Sequence, residues 1–254
     1  MKLLFVGDVV GETGCLFLQK KLSALKREYG VDLAVVNGEN SADGNGITAY
    51  SAGQLFDAGA DVITTGNHAF QRKNDLQIFE NECILRPANY SDACPGRGVT
   101  LYDMGSSRAA IINLQGVLFM EPLDNPFTVI DRILEELDTP NIFIDFHAEA
   151  TSEKRALGLY LAGRVTAVLG THTHVPTADA QIIAGHTGYI TDAGMTGAED
   201  SVLGVKKEIA IDRLRLHVPV RFEEAQGACV LGGVVVEYEK KCGKCTKITP
   251  LIVR

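Results

Sequence analysis

The sequence has no tryptophan and only 4 methionines, and its basic residues are outnumbered, 24 against 32 acidic ones, for a formal charge of −8. So little positive charge leaves no broad basic face for duplex nucleic acid. A small nucleotide is still compatible, because local charge, including that of bound metal ions, is enough for it. No apolar run approaches the ~20 residues of a membrane-crossing helix. Met1–Val6 carries one lysine and stops at Gly7-Asp8, too short for a secretory leader. A cytoplasmic protein without membrane contact is the expectation. The 6 cysteines do not make a disulfide framework in a chain of 254 residues. Cys242-Gly-Lys-Cys245 has no second pair and no nearby histidine, so it reads as a hairpin turn between Val234–Tyr238 and Ile248–Val253 in preference to a zinc or redox site. Repeats, low-complexity tracts and linkers are missing too, which points to one domain over 1–254.

What the chain does have is a pattern that recurs. Leu33-Ala34-Val35-Val36 is an unbroken apolar run, the mark of a strand buried on both faces, and it leads straight into Asn37-Gly38-Glu39-Asn40. Leu3–Val6 leads in the same way to Asp8, Val62–Thr65 to Asn67 and His68, Ile142–Phe146 to His147, and Val165–Leu169 to His172 and His174. Ligands gather at the carboxyl ends of strands in open α/β sheets. Here those ends deliver only oxygen and imidazole donors.

The remaining elements follow from periodicity and punctuation. Lys2–Val6 is a strand and Glu12–Tyr29 a helix, with Leu18, Leu22, Leu25 and Tyr29 on one stripe and Gly30 as its stop. The Gly7–Gly11 turn between them matches neither phosphate-loop pattern. Thr48 caps a short helix to Ala58 that Gly59 ends, and Asp61–Thr65 is a strand. Arg86-Pro87-Ala88-Asn89-Tyr90 reads either as a substrate lip or as a structural loop. Gly98–Tyr102 and Ala109–Asn113 are strands, and Phe127–Leu137 is a helix with Ile130, Ile133, Leu134 and Leu137 on its apolar face. Thr151 or Ser152 caps the next helix, to Ala162. Asp145 and Glu149 flank His147, either as partners that orient imidazoles or as ordinary strand-end polarity. His172 and His174, at i and i+2, share one face of an extended segment. Gln181–Ile183 and Gly188–Ile190 are short strands, Asp192–Gly197 is a tight loop approaching the site, Val205–Leu214 is a helix and Cys229–Tyr238 a long strand. His186 and His217 lie outside the pattern and read as structural.

The collected donors are Asp8, Glu39, Asn40, Asn67, His147, His172 and His174, with His68 beside them. Carboxylate, carboxamide and imidazole without thiolate suit Mn²⁺ or Fe²⁺ better than structural zinc. The set is too large for one ion, and Glu39 is placed to bridge two. Two ions roughly 3.5–4 Å apart would hold a hydroxide between them and clamp both oxygens of an in-line phosphoryl displacement.

Gly7-Asp8, Asn37-Gly-Glu-Asn40, Gly66-Asn-His68, His147 and Gly170-Thr-His-Thr-His174 together resemble the calcineurin-like metallophosphoesterases. In detail the chain resembles their bacterial YmdB-type branch of 2′,3′-cyclic nucleotide 2′-phosphodiesterases. The likeness extends to Arg86-Pro-Ala-Asn89, Asp145–Lys154 and Ile190–Gly197, and so to nearly the whole chain. It implies a four-layer α/β/β/α sandwich and a di-iron or di-manganese centre. By the same likeness one metal takes Asp8, Glu39, Asn40 and His174, the other takes Glu39, Asn67, His147 and His172, and His68 gives a proton to the leaving group. The general superfamily opens with Asp-x-His, but Val10 stands at the third place here, and Asn40 replaces it as a weaker, neutral ligand. The implied activity is hydrolysis of 2′,3′-cyclic nucleotides to 3′-nucleotides by a metal-bridging hydroxide, in a homo-oligomer. The rivals are a broader phosphodiesterase or nuclease acting on RNA ends and a metal-binding regulatory scaffold without significant turnover. Retention of Glu39 and His68 disfavours the scaffold.

Overall fold

The computed structural model describes residues 1–254. The first apolar run lies in β1 (Lys2–Val6), whose alternation sends Leu4 and Val6 to one side and Leu3 and Phe5 to the other. Both faces are buried, which is why the run holds no polar residue. β2 (Asp8–Val9) and α1 (Gly11–Tyr29) follow, and Gly30 in the left-handed region closes the helix. Next come β3 (Leu33–Asn37), α2 (Ala49–Ala58), β4 (Val62–Thr64), a 3-10 segment over Lys73–Glu80, and β5 (Ile84–Leu85). Thr48 and Ser51 cap α2 reciprocally, each side chain accepting from the other's backbone N–H, and Gly59 ends it.

β6 (Val99–Asp103) and β7 (Arg108–Gln115) pair antiparallel. After them run α3 (Pro126–Glu136), β8 (Ile142–His147), α4 (Thr151–Tyr160), β9 (Ala167–Thr171), β10 (Gln181–Ile183) and β11 (Thr187–Ile190). The chain ends with β12 (Met195–Ala198), α5 (Lys207–Leu216) and the hairpin of β13 (Cys229–Glu239) and β14 (Lys244–Val253).

The strands form two sheets. The first has the order β2-β12-β13-β1-β3-β4-β5 with β14 beside β13, and the second the order β10-β11-β9-β8-β7-β6. Three apolar clusters hold the layers together. Leu18, Leu22 and Leu25 of α1 and Leu55 of α2 pack on the first sheet. Phe5, Val35, Ile111, Phe143 and Val234 fill the space between the sheets. Val129, Ile130 and Leu157 of α3 and α4 cover the second sheet through Ile112, Ile144 and Phe146. The result is the expected α/β/β/α sandwich. Within it β1, β3, β4 and β5 are parallel, as are β7, β8, β9 and β11.

Several expected boundaries shift. Neither Thr151 nor Ser152 caps α4; Ala150 is the residue before it, Thr151 is its first residue, and the helix stops at Tyr160, short of Ala162. α5 starts at Lys207 because Val205 is bridged to Val202 and Glu224. Only 192–194 of the expected loop is a loop, since Met195–Ala198 is recruited between β2 and β13. It does approach the site, with Met195 opposite Asp8. Cys245 sits not in the turn but on β14, buried opposite Tyr238, while Cys242 is exposed and both are free thiols. No helix is long and apolar enough to cross a membrane.

Candidate metal centre

The strand ends singled out by the sequence converge on one carboxylate oxygen. Glu39 Oε1 lies 3.1 Å from His147 Nε2, 3.1 Å from His68 Nδ1 and 3.3 Å from Asn40 Nδ2. On one side of it, His147 Nε2 is 3.0 Å from both Asn67 Oδ1 and His172 Nδ1. On the other side, His174 Nε2 is 3.6 Å from Asp8 Oδ1 and 3.3 Å from Asn40 Nδ2. Neighbouring ligands on an ion with bonds of ~2.1 Å stand about 3 Å apart, so the Glu39, Asn67, His147 and His172 spacings are those of a coordination shell. Gly66 is what allows this approach: a β-carbon there would fall on Glu39 Oε2 and the His147 ring.

Hydrogen bonds on the far side of each imidazole decide which nitrogen is bare. Thr171 Oγ1 donates to Asp145 Oδ1 (2.6 Å), so its lone pair must accept from His147 Nδ1–H (2.9 Å), leaving Nε2 bare. The Glu149 carboxylate accepts from His172 Nε2–H at 3.0 Å, which leaves Nδ1 bare. The Leu203 carbonyl accepts from His174 Nδ1–H at 3.1 Å, which leaves Nε2 bare. All three bare nitrogens face the centre, and those of His147 and His172 oppose each other at 3.0 Å. Two lone pairs at that distance repel unless a proton or a cation lies between them. Asp8 Oδ1, fully buried, has no hydrogen-bond donor at all. These donors fit divalent cations.

The electrostatics agree. Burial pushes the Glu39 carboxyl up, but His147 and His68 beside it more than offset this and hold it well below the usual carboxylate range. Burial raises Asp8 despite His174 and His147 nearby. Burial would lower His147, yet Glu39, Asp8 and Asp145 push it up to about 9, so with no cation bound Nε2 takes up a proton toward Glu39, and it is bare only when a cation replaces that proton. Burial and the adjacent His147 lower His172 to about 4. Positive charge is thus favoured at the point where His147 meets Glu39.

Seven expected donors, Asp8, Glu39, Asn40, Asn67, His147, His172 and His174, are therefore brought together, and His68 lies at their open edge. Two readings need correction. His172 and His174 are not on one face of an extended segment; their φ angles are 94° and 63°, so the chain turns at each and the rings part toward the two sides of Glu39. Asn40 presents Nδ2, not Oδ1, to His174 and Glu39, with Oδ1 toward His68 (3.2 Å), so holding a metal through oxygen requires its amide to rotate. Asp145 and Glu149 both orient imidazoles, Asp145 through Thr171 and Glu149 by acting on His172 instead of the adjacent His147. In the Arg86–Tyr90 segment the side chains of Arg86 and Asn89 are buried, with Asn89 bonded to Gln115 and Asp124, while Tyr90 is half-buried and packs on Phe70, two residues beyond His68. His217 closes α5 and His186 lies in the turn before β11, both away from the centre. The sequence reading missed Thr171, Asn37, Thr64 and Leu203. Asn37 and Thr64 donate to Asp145 at 2.8 and 2.5 Å, and Thr171 stands inside the Gly170–His174 run, so proximity to the motifs was the available signal.

The chain is 44% identical over 256 residues to the 2′,3′-cyclic-nucleotide 2′-phosphodiesterase of Bacillus subtilis (strain 168), covering 100% of this chain and 97% of that protein. A hypothetical protein of Thermus thermophilus, known from its crystal structure, superposes with a TM-score of 0.95 at 40% identity over 100% of this chain and 99% of that one. The crystal structure of a novel phosphatase of Mycoplasma pneumoniae gives 0.95 at 34% identity, over 100% and 93%. The profile of the YmdB-like protein family matches residues 4–251, and the chain belongs to that family.

Proposed function

We propose that this chain is a dinuclear metal-dependent phosphodiesterase that hydrolyses 2′,3′-cyclic nucleotides to 3′-nucleotides. The observation that carries the proposal is the ring of donors around Glu39 Oε1, with three bare imidazole nitrogens and the unpartnered Asp8 Oδ1. The names of the Bacillus and Mycoplasma relatives support phosphodiester or phosphomonoester hydrolysis. Asp8, Glu39, Asn40 and His174 would hold one ion, and Glu39, Asn67, His147 and His172 the other. Manganese or iron suits this oxygen and imidazole set. When bound, such ions polarise the phosphate oxygens and acidify water toward neutrality.

The chain's own contribution is to orient groups and move protons. Thr171, Glu149 and Leu203 fix the three imidazoles. His68 is 29% exposed at its side chain, and its Nδ1 is engaged by Glu39 and Asn40. Its Nε2 has no partner in the chain and so can give its proton to O2′ as the P–O2′ bond breaks. The water oxygen adds to phosphorus, and the phosphate remains on O3′. We also place the protein in the cytoplasm, and read it as a homo-oligomer, the latter supported by the exposed Ile211, Leu214 and Leu216 of α5.

Two measurements test the proposal. Glu39→Gln should lower the content of both metals, whereas Asn67→Ala should lower mainly one; full double occupancy in Glu39→Gln would sink the bridge. His68→Ala should keep its metals and lose ~10²–10⁴-fold on a 2′,3′-cyclic nucleotide. It should lose far less on bis(p-nitrophenyl) phosphate, whose nitrophenolate leaves without a proton. Equal losses at equal metal content would remove His68 from that role.

A further inference from the structure

The loop between β7 and α3 is anchored to the metal centre at several points. Gly116 N–H donates to the His147 carbonyl at 2.9 Å. The half of the loop after it is held by the buried Glu153 carboxylate, which accepts from Val117 N–H at 3.0 Å and Leu118 N–H at 3.2 Å. Asn89 closes the neck, accepting from Gln115 N–H (2.9 Å) and donating to the carbonyls of Gln115 (2.8 Å) and Asp124 (3.0 Å). Glu149 N–H points at the Met120 sulfur (3.3 Å), and this is the Glu149 whose carboxylate holds His172. The loop is therefore a fixed wall on the His147 and His172 side.

At its tip this rigid loop does something costly. Phe119 is 83% exposed and adopts φ 65°, a left-handed conformation that its β-carbon disfavours. A large ring held out in water on a strained backbone persists only because the anchors over-determine it, and such strain gathers at ligand sites. Tyr90 packs edge-on against Phe70, two residues beyond His68, with ring centres 5.3 Å apart. The charged groups flanking Phe119 along the loop are carboxylates: Tyr90 hydroxyl donates to Glu121 at 3.3 Å, and Glu149 lies beside Met120. The arginines Arg86, Arg97 and Arg132 line a cavity at the other end of the loop, with Pro122, Leu123 and Asp124. The Glu121 and Glu149 carboxylates repel a phosphate. The uncharged, flat part of a nucleotide is what suits this wall.

Building on the phosphodiesterase reading, we propose that Phe119 is the stacking platform for the nucleobase and so sets the preference for base-bearing substrates. Base–aromatic stacking follows ring area, so purines should benefit more than pyrimidines. The test compares parent, Phe119→Ala and Phe119→Trp proteins at full metal content on 2′,3′-cyclic AMP, 2′,3′-cyclic UMP and a base-free methyl riboside 2,3-cyclic phosphate. Phe119→Ala should raise KM for cyclic AMP on the order of 10- to 100-fold, raise it less for cyclic UMP, and leave the base-free substrate unchanged. Phe119→Trp should restore binding. Equal losses on all three substrates, no loss on any, or a change in metal content or subunit number would overturn it. Calorimetric binding of adenosine 3′-monophosphate against the base-free sugar phosphate reads the same contact without turnover. If the parent hydrolyses none of the substrates, the phosphodiesterase reading fails, while the calorimetric difference between parent and Phe119→Ala still decides the role of Phe119.

Discussion

Thr171 shows how much a single hydroxyl can settle. With one proton and two lone pairs it must donate to Asp145, which as a carboxylate only accepts, and it therefore accepts from His147. Thr171→Val keeps the shape and removes both interactions, so His147 is no longer held with Nε2 toward the centre. Outer hydrogen bonds of this kind are typically worth 10–100-fold in metal affinity. Thr171→Val should weaken metal binding by about that factor in a chelator competition, with an unchanged circular dichroism spectrum, and Thr171→Ser should recover most of it. Unchanged affinity in Thr171→Val would mean that the strand alone positions His147. At this scale the sequence was legible for the side chains that meet at the centre and blank for their supports. Asp145 and His147 are visibly close in sequence, but the residue between them comes from β9, and the register that sets His147 opposite Thr171 leaves no trace in either strand.

At the scale of elements, β1, β3, β8 and most of β9 could be read because a strand buried on both faces is mostly apolar, although β8 also holds the buried Asp145 and β9 is displaced two residues from its run, to Ala167–Thr171. β12 could not, since Met195-Thr-Gly-Ala198 has neither alternation nor an apolar run and is a strand only because β2 and β13 supply its partners. The turn holding His172 and His174 was misread for a related reason. Its left-handed angles are imposed from outside by Asp192, which accepts from Thr173 N–H (3.1 Å) and Thr173 Oγ1 (2.6 Å) and is itself paired with Lys154 Nζ at 2.9 Å. Lys154 is on α4 and both partners are buried, so the helix clamps the ligand turn. Removing one partner of a buried pair strands the other charge, typically at a cost of about 3–5 kcal/mol. Lys154→Met should accordingly lower the melting temperature by roughly 10 °C. It should also loosen the site that includes His174. A variant as stable as the parent would show that the pair contributes nothing net.

For the whole molecule, the important fact is that the donors come from both sheets. Asp8, Glu39, Asn40 and Asn67 belong to or follow strands of the first, and His147, His172 and His174 belong to or follow strands of the second. Elsewhere the sheets meet mainly through apolar packing, with a few buried bonds such as those of Asn37 and Thr64 to Asp145, whereas here their facing ends bring two buried carboxylates against three imidazoles. Bound cations would tie the two sheets together at that end, and they can do so only in the folded chain, because the ligands are spread from residue 8 to residue 174. An ion present at 100 times its dissociation constant stabilises the fold by about 2.7 kcal/mol, so two would contribute on the order of 5 kcal/mol. At roughly 2–4 °C per kcal/mol for a chain of this size, complete chelation should lower the melting temperature by about 10–20 °C, and added Mn²⁺ should restore it. Hydrogen exchange should locate the change. Amides of Asn40, His68, His172 and His174 should lose protection on metal removal, while those of β1 and β8, whose bonds lie inside the sheets, should keep it. A protein shown by elemental analysis to have lost its metals, yet melting at the same temperature, would show that the ions do not join the sheets and that the apolar packing, with the bonds of Asn37 and Thr64 to Asp145, holds the two halves together.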